Sequence, residues 1–175
     1  MKNASTLLTE EQFWQIIEAS KLGEDLHTQL QSLTKDEIFG YRYWWEFFCR
    51  KSYNQALWAA AYTVMGGCSD DGFDYFRFWL ITRGKAVFMA ALKDADSLCD
   101  EFDNTDYPEL EEADYAVMDV LEKKYGEDFY AAEQDYDLGD KNLPAINFEW
   151  QEDDESSIEN ICPKTFKKWW NNDKF

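Results

Sequence analysis

Residues 54–80 read NQALWAAAYTVMGGCSDDGFDYFRFWL and predict two helices joined by a short turn. Asn54 can cap the first helix, because its side chain can accept hydrogen bonds from free backbone amides. The pair Gly66-Gly67 ends that helix, since glycine adopts left-handed conformations at little cost. Ser69 can cap the second helix, and Asp70-Asp71 in its first turn complement the helix dipole. The stretch therefore predicts a helix–turn–helix unit at the centre of the chain.

The same helical pattern continues on both sides of this unit. Thr9 and Thr34 each begin a capping box, and Thr34 opens a long helix with one apolar face. That face consists of Ile38, Tyr41, Trp45 and Phe48. Further along the chain, residues 109–125 predict a helix whose inner stripe is Tyr115, Met118 and Leu121. No alternation typical of strands persists beyond a few residues.

We therefore predict an all-α protein, a single-domain irregular helical bundle. Residues 1–130 form the helical core. Residues 131–175 form an acidic, partly irregular extension with a short C-terminal helix that packs on the core or is tethered to it. The length of 175 residues fits one domain, since about 150 residues per domain is usual.

The charge of the chain is concentrated in its second half. The formal net charge is −19, and residues 94–159 hold 24 acidic and 3 basic residues, whereas residues 1–93 are nearly neutral. Such acidity argues against binding to nucleic acids and anionic lipids, which requires clustered Lys and Arg. No signal peptide and no apolar run of about 20 residues is apparent, so we expect a soluble, cytoplasmic protein without membrane contact.

The cysteines do not form a recognisable metal or disulfide pattern. Four cysteines lie far apart without any C-x-x-C pair, and His27 is the only histidine. Free thiols in a reducing cytosol are the expected state. His27 lies among polar neighbours, so we expect it at the surface.

Residues 58–80 resemble the signature of the DUF4240 family, a bacterial domain of unknown function. The resemblance is carried by Leu57-Trp58, by the run GGCSDD at 66–71, by FDYF at 73–76 and by Trp79-Leu80. Phe13-Trp14 and the segment DADSL at 94–98 resemble flanking parts of the same pattern. The resemblance extends over residues 11–126 and implies kinship without implying an activity.

The turn between the two central helices is the first candidate site. It brings together glycines, a thiol, a hydroxyl and carboxylates at one helix start: Gly66, Gly67, Cys68, Ser69, Asp70, Asp71 and Asp74. One interpretation is a helix cap. The other is a ligand site, because Asp70 and Asp74 lie one turn apart and their oxygens suit Mg²⁺ or Ca²⁺. We do not expect Cys68 to be a nucleophile, since the neighbouring carboxylates oppose thiolate formation.

An aromatic belt on the long helix is the second candidate. It comprises Tyr41, Tyr43, Trp44, Trp45, Phe47 and Phe48. Successive residues point in different directions around a helix, so not all of these rings can face one core. Burial on two sides of the helix is one interpretation, and a binding groove or homodimer face is the other.

The acidic half is the third candidate. We predict that Glu109, Glu112, Asp119 and Glu122 form one negative helix face and that Tyr130, Tyr136 and Trp150 supply aromatic contacts. A solvated face is the alternative. From this surface we predict a protein-binding module, such as an immunity-type protein that neutralises a basic partner, for example a nuclease toxin. We assign no catalytic residue and expect no cofactor. The rival hypothesis is a metal-dependent enzyme or small-ligand binder that uses Asp70, Asp71 and Asp74 with a divalent cation.

Overall fold

A computed structural model describes residues 1–172 and 174. Within these residues the α-helices are α1 (Glu10–Ala19), α2 (Leu26–Gln31), α3 (Lys35–Lys51), α4 (Gln55–Met65), α5 (Asp70–Thr82), α6 (Lys85–Lys93), α7 (Glu112–Tyr125), α8 (Phe129–Ala132), α9 (Glu155–Ile161) and α10 (Pro163–Trp169). Three 3₁₀ helices lie at Ala4–Thr6, Ala95–Asn104 and Glu133–Asp135. The prediction of a mostly helical single domain is confirmed. None of the helices in the described part of the chain is long and apolar enough to cross a membrane.

The caps predicted from the sequence are present. Thr9 and Thr34 both form complete capping boxes at the starts of α1 and α3. The Asn54 side chain accepts hydrogen bonds from two amides of α4, and the Ser69 hydroxyl accepts one from the amide of Gly72 at 3.1 Å. Gly66 ends α4 with a φ of 68°, a conformation that favours glycine. Local capping chemistry thus sets four of the helix starts.

Helix α3 lies at the centre of the protein and is buried on two sides. On one side Tyr41, Trp45 and Phe48 are fully buried, and Phe48 packs against Trp14 of α1 with ring centroids 4.6 Å apart. On the other side the N-terminal segment covers the helix, where the Trp44 indole donates a hydrogen bond to the Leu8 carbonyl at 2.8 Å. The aromatic belt therefore packs within the chain itself. A homodimer through this belt stays a prediction.

The extension after residue 130 shares the core of the preceding helices. Helix α10 packs on α4 and on the 3₁₀ helix Ala95–Asn104. The Trp169 indole donates to the Cys99 carbonyl at 2.7 Å, and the Trp150 indole donates to the Gln55 carbonyl at 3.0 Å. Ile158 and Cys162 are fully buried in the same hydrophobic cluster. Apolar side chains thus join the two parts into one unit.

A short parallel sheet connects the N-terminus to the extension, a feature that the sequence pattern does not show. Strand β1 (Lys2–Asn3) pairs with β2 (Tyr136–Asp137). The Tyr136 hydroxyl donates to a carboxylate oxygen of Asp36 at 2.6 Å, and Lys2 pairs with the same carboxylate at 2.6 Å. These strands are two residues long, too short to produce an alternating pattern.

Helix α7 differs from its prediction in its start and in its buried side. It begins at Glu112 rather than at Glu109, and Tyr115 is 47% exposed rather than buried. The buried side consists of Ala113, Ala116, Val117, Val120 and Leu121. Small side chains let α7 approach α2 closely, and the Tyr115 hydroxyl has a carboxylate partner at the surface. Of the predicted stripe, Leu121 is fully buried and Met118 packs against the core, so the prediction was wrong for Tyr115 alone.

Candidate functional site

The turn at Gly66–Asp74 acts as a helix cap whose carboxylates do not converge. Asp70 and Asp71 are exposed in the first turn of α5. Asp74 forms an ion pair with Arg77 on the same helix. In residues 1–172 and 174, no group of three His, Cys, Asp or Glu side chains is arranged to hold a metal ion. A divalent cation here stays a prediction without geometric support.

Cys68 sits in an environment that keeps its thiol protonated. Burial first, and then the carboxylate of Glu109, raise the pKa of Cys68 to about 12. A methyl group built on Gly72 would lie 3.2 Å from an oxygen of Glu109, so this carboxylate borders the same turn. Glu109 precedes α7 and belongs to the surroundings of the turn, not to the negative face of α7. A protonated thiol is a poor nucleophile, as expected from the sequence.

The outer side of α7 brings three of the predicted acids together with an exposed tyrosine. Glu112, Asp119 and Glu122 follow helical spacing on this side, and Tyr115 lies between the first two. Oδ2 of Asp119 lies 3.1 Å from Nε2 of His27, so the only histidine of the sequence lies at the edge of this surface. Glu112 and Glu122 are exposed.

A tyrosine–carboxylate cluster extends the same surface toward α5. The hydroxyls of Tyr75 and Tyr115 both donate to Oε1 of Glu111, at 3.0 and 3.3 Å. The pKa of Tyr75 rises to about 12, first because of its hydrogen bond to Glu111. The hydroxyl of Tyr75 therefore stays a neutral donor at neutral pH.

A groove separates α7 from α8. It has a volume of about 520 Å³ and is lined by Met118, Glu122, Gly126, Glu127, Asp128, Phe129 and Tyr130. Phe129 and Met118 provide apolar surface, and three acids line the groove as well, of which Glu127 is paired with Lys35. Tyr130 is 61% exposed and lines the groove with part of its ring. We call the outer side of α7 together with this groove the α7–α8 surface.

Tyr136 and Trp150 are not part of that surface. Tyr136 is 6% exposed and stacks on Phe39 with ring centroids 3.9 Å apart, and Trp150 is 5% exposed beneath α4. Their neighbours in sequence are acidic and polar, which predicts exposure. Tertiary packing instead uses both rings as anchors for the extension, so neither can contact a partner in this structure.

A second cluster of charges joins α3 to α7. Arg42 of α3 donates to the Asp114 carboxylate at 2.6 Å and pairs with Glu46 at 2.6 Å. The Trp45 indole donates to the same oxygen of Asp114 at 3.0 Å. Burial alone would lower the pKa of Arg42, but Glu46 and Asp114 outweigh burial and raise it, so the guanidinium stays charged.

The family assignment follows from a comparison of sequences. A family model described as "Protein of unknown function (DUF4240)" matches residues 8–123. The chain belongs to the DUF4240 family. No curated protein and no solved structure matches the chain.

The DUF4240 region contains most of the features described above. It includes the Gly66–Asp74 turn, the charge cluster around Arg42, and the acids of α7 from Glu112 to Glu122. Helix α8 with Tyr130 lies beyond the match. The groove is therefore formed jointly by the DUF4240 region and the segment that follows it.

Sequence reasoning missed the charged residues of this DUF4240 chain that lie on apolar helix stripes. Arg42 occupies a stripe position between Ile38 and Trp45, and Arg77 occupies one between Phe73 and Leu80. An arginine at core spacing predicts a buried, paired guanidinium, because an isolated buried charge is costly. That signal is readable in the sequence, whereas the identity of the partner Asp114 is not.

Proposed function

We propose that this protein is a protein-binding module and that the α7–α8 surface docks a basic segment of its partner. The groove between α7 and α8 is the observation that supports this proposal most directly. Lys and Arg side chains combine an aliphatic stem with a charged end, and the groove offers both matching environments. The stem would pack on Met118 and Phe129, and the charged end would face Glu122 and Asp128.

The exposed tyrosines around the groove favour protein binding over a merely solvated face. Tyrosine and arginine are enriched at protein interfaces, because their side chains contribute a large contact area and a polar end. Tyr115 and Tyr130 are both exposed and stand near each other among carboxylates. Exposed acids by themselves are explained by solubility, whereas exposed aromatic rings do not increase solubility.

The specific role that we propose is that of a bacterial, cytoplasmic immunity-type protein that neutralises a basic toxin such as a nuclease. The net charge of −19 would accelerate association with a basic partner and cover its substrate-binding surface. All four cysteines are free, which is compatible with a reducing compartment.

Charge reversal with a charge-matched control tests the location of the binding surface. The test variant is Glu112→Lys/Glu122→Lys, and the control is Glu152→Lys/Glu159→Lys, which changes the net charge equally at exposed positions near α9. Binding of a labelled peptide of alternating arginine and glycine is measured by fluorescence anisotropy at an ionic strength of about 0.15 M, where the Debye length is about 8 Å. We expect the test variant to weaken binding by about tenfold and the control by less than about threefold, because ionic contacts act mainly at close range.

The native partner provides the second arm of this experiment. A protein captured from the host by the wild type should also be captured by the control variant and be lost with the test variant. Its association rate should fall steeply with salt. Equal loss in both variants, or a complex whose formation ignores salt, would exclude the α7–α8 surface as the docking site.

A further inference from the structure

The charge cluster around Arg42 lines a polar cleft. The cleft has a volume of about 250 Å³ and is walled by α3, α5, α7 and the loop at 140–144. Four cationic side chains line it, namely Arg42, Arg50, Arg77 and Lys141. Three acids, Glu46, Asp74 and Asp114, line it as well, and two of them are committed to Arg42. The other three cations also have carboxylate partners, since Arg50 pairs with Asp140, Arg77 with Asp74 and Lys141 with Glu133.

Arg77 is the most deeply placed of these cations. Its side chain is 3% exposed, and its guanidinium lies 5.0 Å from the ring centre of Tyr53 and 5.2 Å from that of Phe73. One terminal nitrogen donates to the Cys49 carbonyl at 2.5 Å, and the other pairs with Asp74. A guanidinium carries five N–H donors, so these two contacts do not use all of the donors of Arg77.

Two arginine Nε atoms in this cluster are buried without a hydrogen-bond partner in the part of the chain that the structure describes. They belong to Arg42 and Arg77. An unpartnered buried donor costs free energy, and such groups in native proteins call for an explanation. The rings of Tyr53 and Phe73 hold Arg77 in place, so the guanidinium is preorganised beside the cleft.

Arg50 lines this cleft and also an adjoining cavity, where Asp140 of the chain itself is its partner. Asp140 accepts a hydrogen bond from Arg50 through its backbone carbonyl at 2.8 Å and pairs with it through its carboxylate at 2.8 Å. The Asp140 side chain is more than half exposed, and Leu143 on the same loop is exposed as well. Weakly buried loops of this kind open at a low free-energy cost. Asp140 thus occupies donors of Arg50 that the carboxylate of a ligand would need.

We propose that this cleft binds a small dicarboxylate. One carboxylate of the ligand displaces Asp140 from Arg50, and the other accepts hydrogen bonds from the spare donors of Arg77. Arginine suits this role, because its planar donors match the two oxygens of a carboxylate. The cleft is smaller than typical drug-sized pockets, which favours a ligand of a few carbon atoms.

Arginine side-chain NMR tests this proposal directly, since the chain contains only four arginines. The Nε–H signals are followed while succinate is added at constant ionic strength. We expect saturable shifts for Arg50 and Arg77. Arg83, which bonds to the Leu22 carbonyl elsewhere, serves as the internal control and should not shift.

Two pairs of variants locate the ligand. Arg50→Gln should abolish the shifts at Arg77, whereas the control Lys93→Gln at an exposed position should retain them. Asp140→Asn should strengthen succinate binding about threefold, because it removes the competing carboxylate of a partly exposed ion pair. The control Asp153→Asn should leave the affinity unchanged.

Each other result overturns the proposal or a defined part of it. Absence of a saturable shift in the wild type excludes the site, and unchanged affinity in Arg50→Gln excludes its assignment to this cleft. Shifts with inorganic phosphate but not with succinate exclude the dicarboxylate class. Unchanged affinity in Asp140→Asn excludes displacement of Asp140. None of these results bears on the α7–α8 surface, because the titration uses no basic partner.

Discussion

Replacing Asp96 with alanine should detach the start of helix α10 from the rest of the protein. Asp96 is 5% exposed, and its carboxylate accepts hydrogen bonds from the amides of Lys164 at 2.9 Å and Thr165 at 2.7 Å. Helix α10 begins at Pro163, and the preceding Cys162 supplies no side-chain cap. Asp96 therefore caps a helix that lies 68 residues further along the chain.

The expected loss follows from the two hydrogen bonds. A hydrogen bond to a charged group contributes about 1.5–3 kcal/mol, and leaving a buried amide unpartnered adds to the cost. Because water can reach part of the exposed end of α10, we take the lower bound for each bond. The free energy of unfolding should then fall by about 3 kcal/mol. For a protein of this size that corresponds to a decrease in Tm of about 6–12 °C.

Urea unfolding followed by tryptophan fluorescence measures this loss, with the m-value checked for two-state behaviour. Asp96→Asn keeps one acceptor oxygen and should lose about half as much. Asp100→Ala is the matched control on the same 3₁₀ helix. Its side chain is 92% exposed, and Lys168 of α10, with which it pairs, also pairs with Asp103, so we expect a change of less than about 0.5 kcal/mol. A midpoint for Asp96→Ala that equals that of Asp100→Ala would refute the capping argument.

Three further predictions concern acid stability, thiol reactivity and packing. Hydrogen bonds from Lys2 first and then from Tyr136 lower the pKa of Asp36 below 3.8 in the folded state. The ionised Asp36 therefore stabilises the fold at neutral pH, and this stabilisation is lost as the pH falls through the lowered pKa. In Asp36→Asn the midpoint of urea unfolding should therefore depend less on pH between about pH 5 and pH 2 than it does in the wild type. The pKa of Cys68 is raised to about 12, so iodoacetamide should alkylate this thiol at pH 8 at least about tenfold more slowly than an unfolded cysteine. Glu109→Gln should increase the rate of alkylation, and mass spectrometry measures both rates. Gly40→Ala would place a methyl group 2.6 Å from Cβ of Leu8, so we expect a loss of about 1–3 kcal/mol in urea unfolding, and an unchanged midpoint would contradict this close approach.

The caps of the helices show how far local chemistry reaches. Thr9, Thr34, Asn54 and Ser69 act on amides two or three residues away, so their role is readable from a few consecutive letters. The cap of α10 depends on Asp96, which no local pattern connects to that helix. The same distinction applies to α7, whose predicted stripe did not anticipate that alanines would face α2.

The candidate sites divide along the same line. The acids of α7 follow helical spacing and were predicted together, but the groove beside them depends on the return of the chain at α8. Tyr136 and Trp150 looked accessible among acidic neighbours, and the structure buries both. The burial of these two rings depends on residues far away in the sequence, and the residues next to them in the sequence do not indicate it.

The sequence by itself determined the helical class, the family and the uneven distribution of charge. These follow from the period of apolar residues, from capping residues and from composition, all of which act over one or two helical turns. Only the tertiary structure decided which acids surround a groove, which aromatic rings are anchors, and that Arg42 and Arg77 face one cleft. These features depend on contacts between residues far apart in the chain, because packing and charge pairing select partners in space and not in sequence.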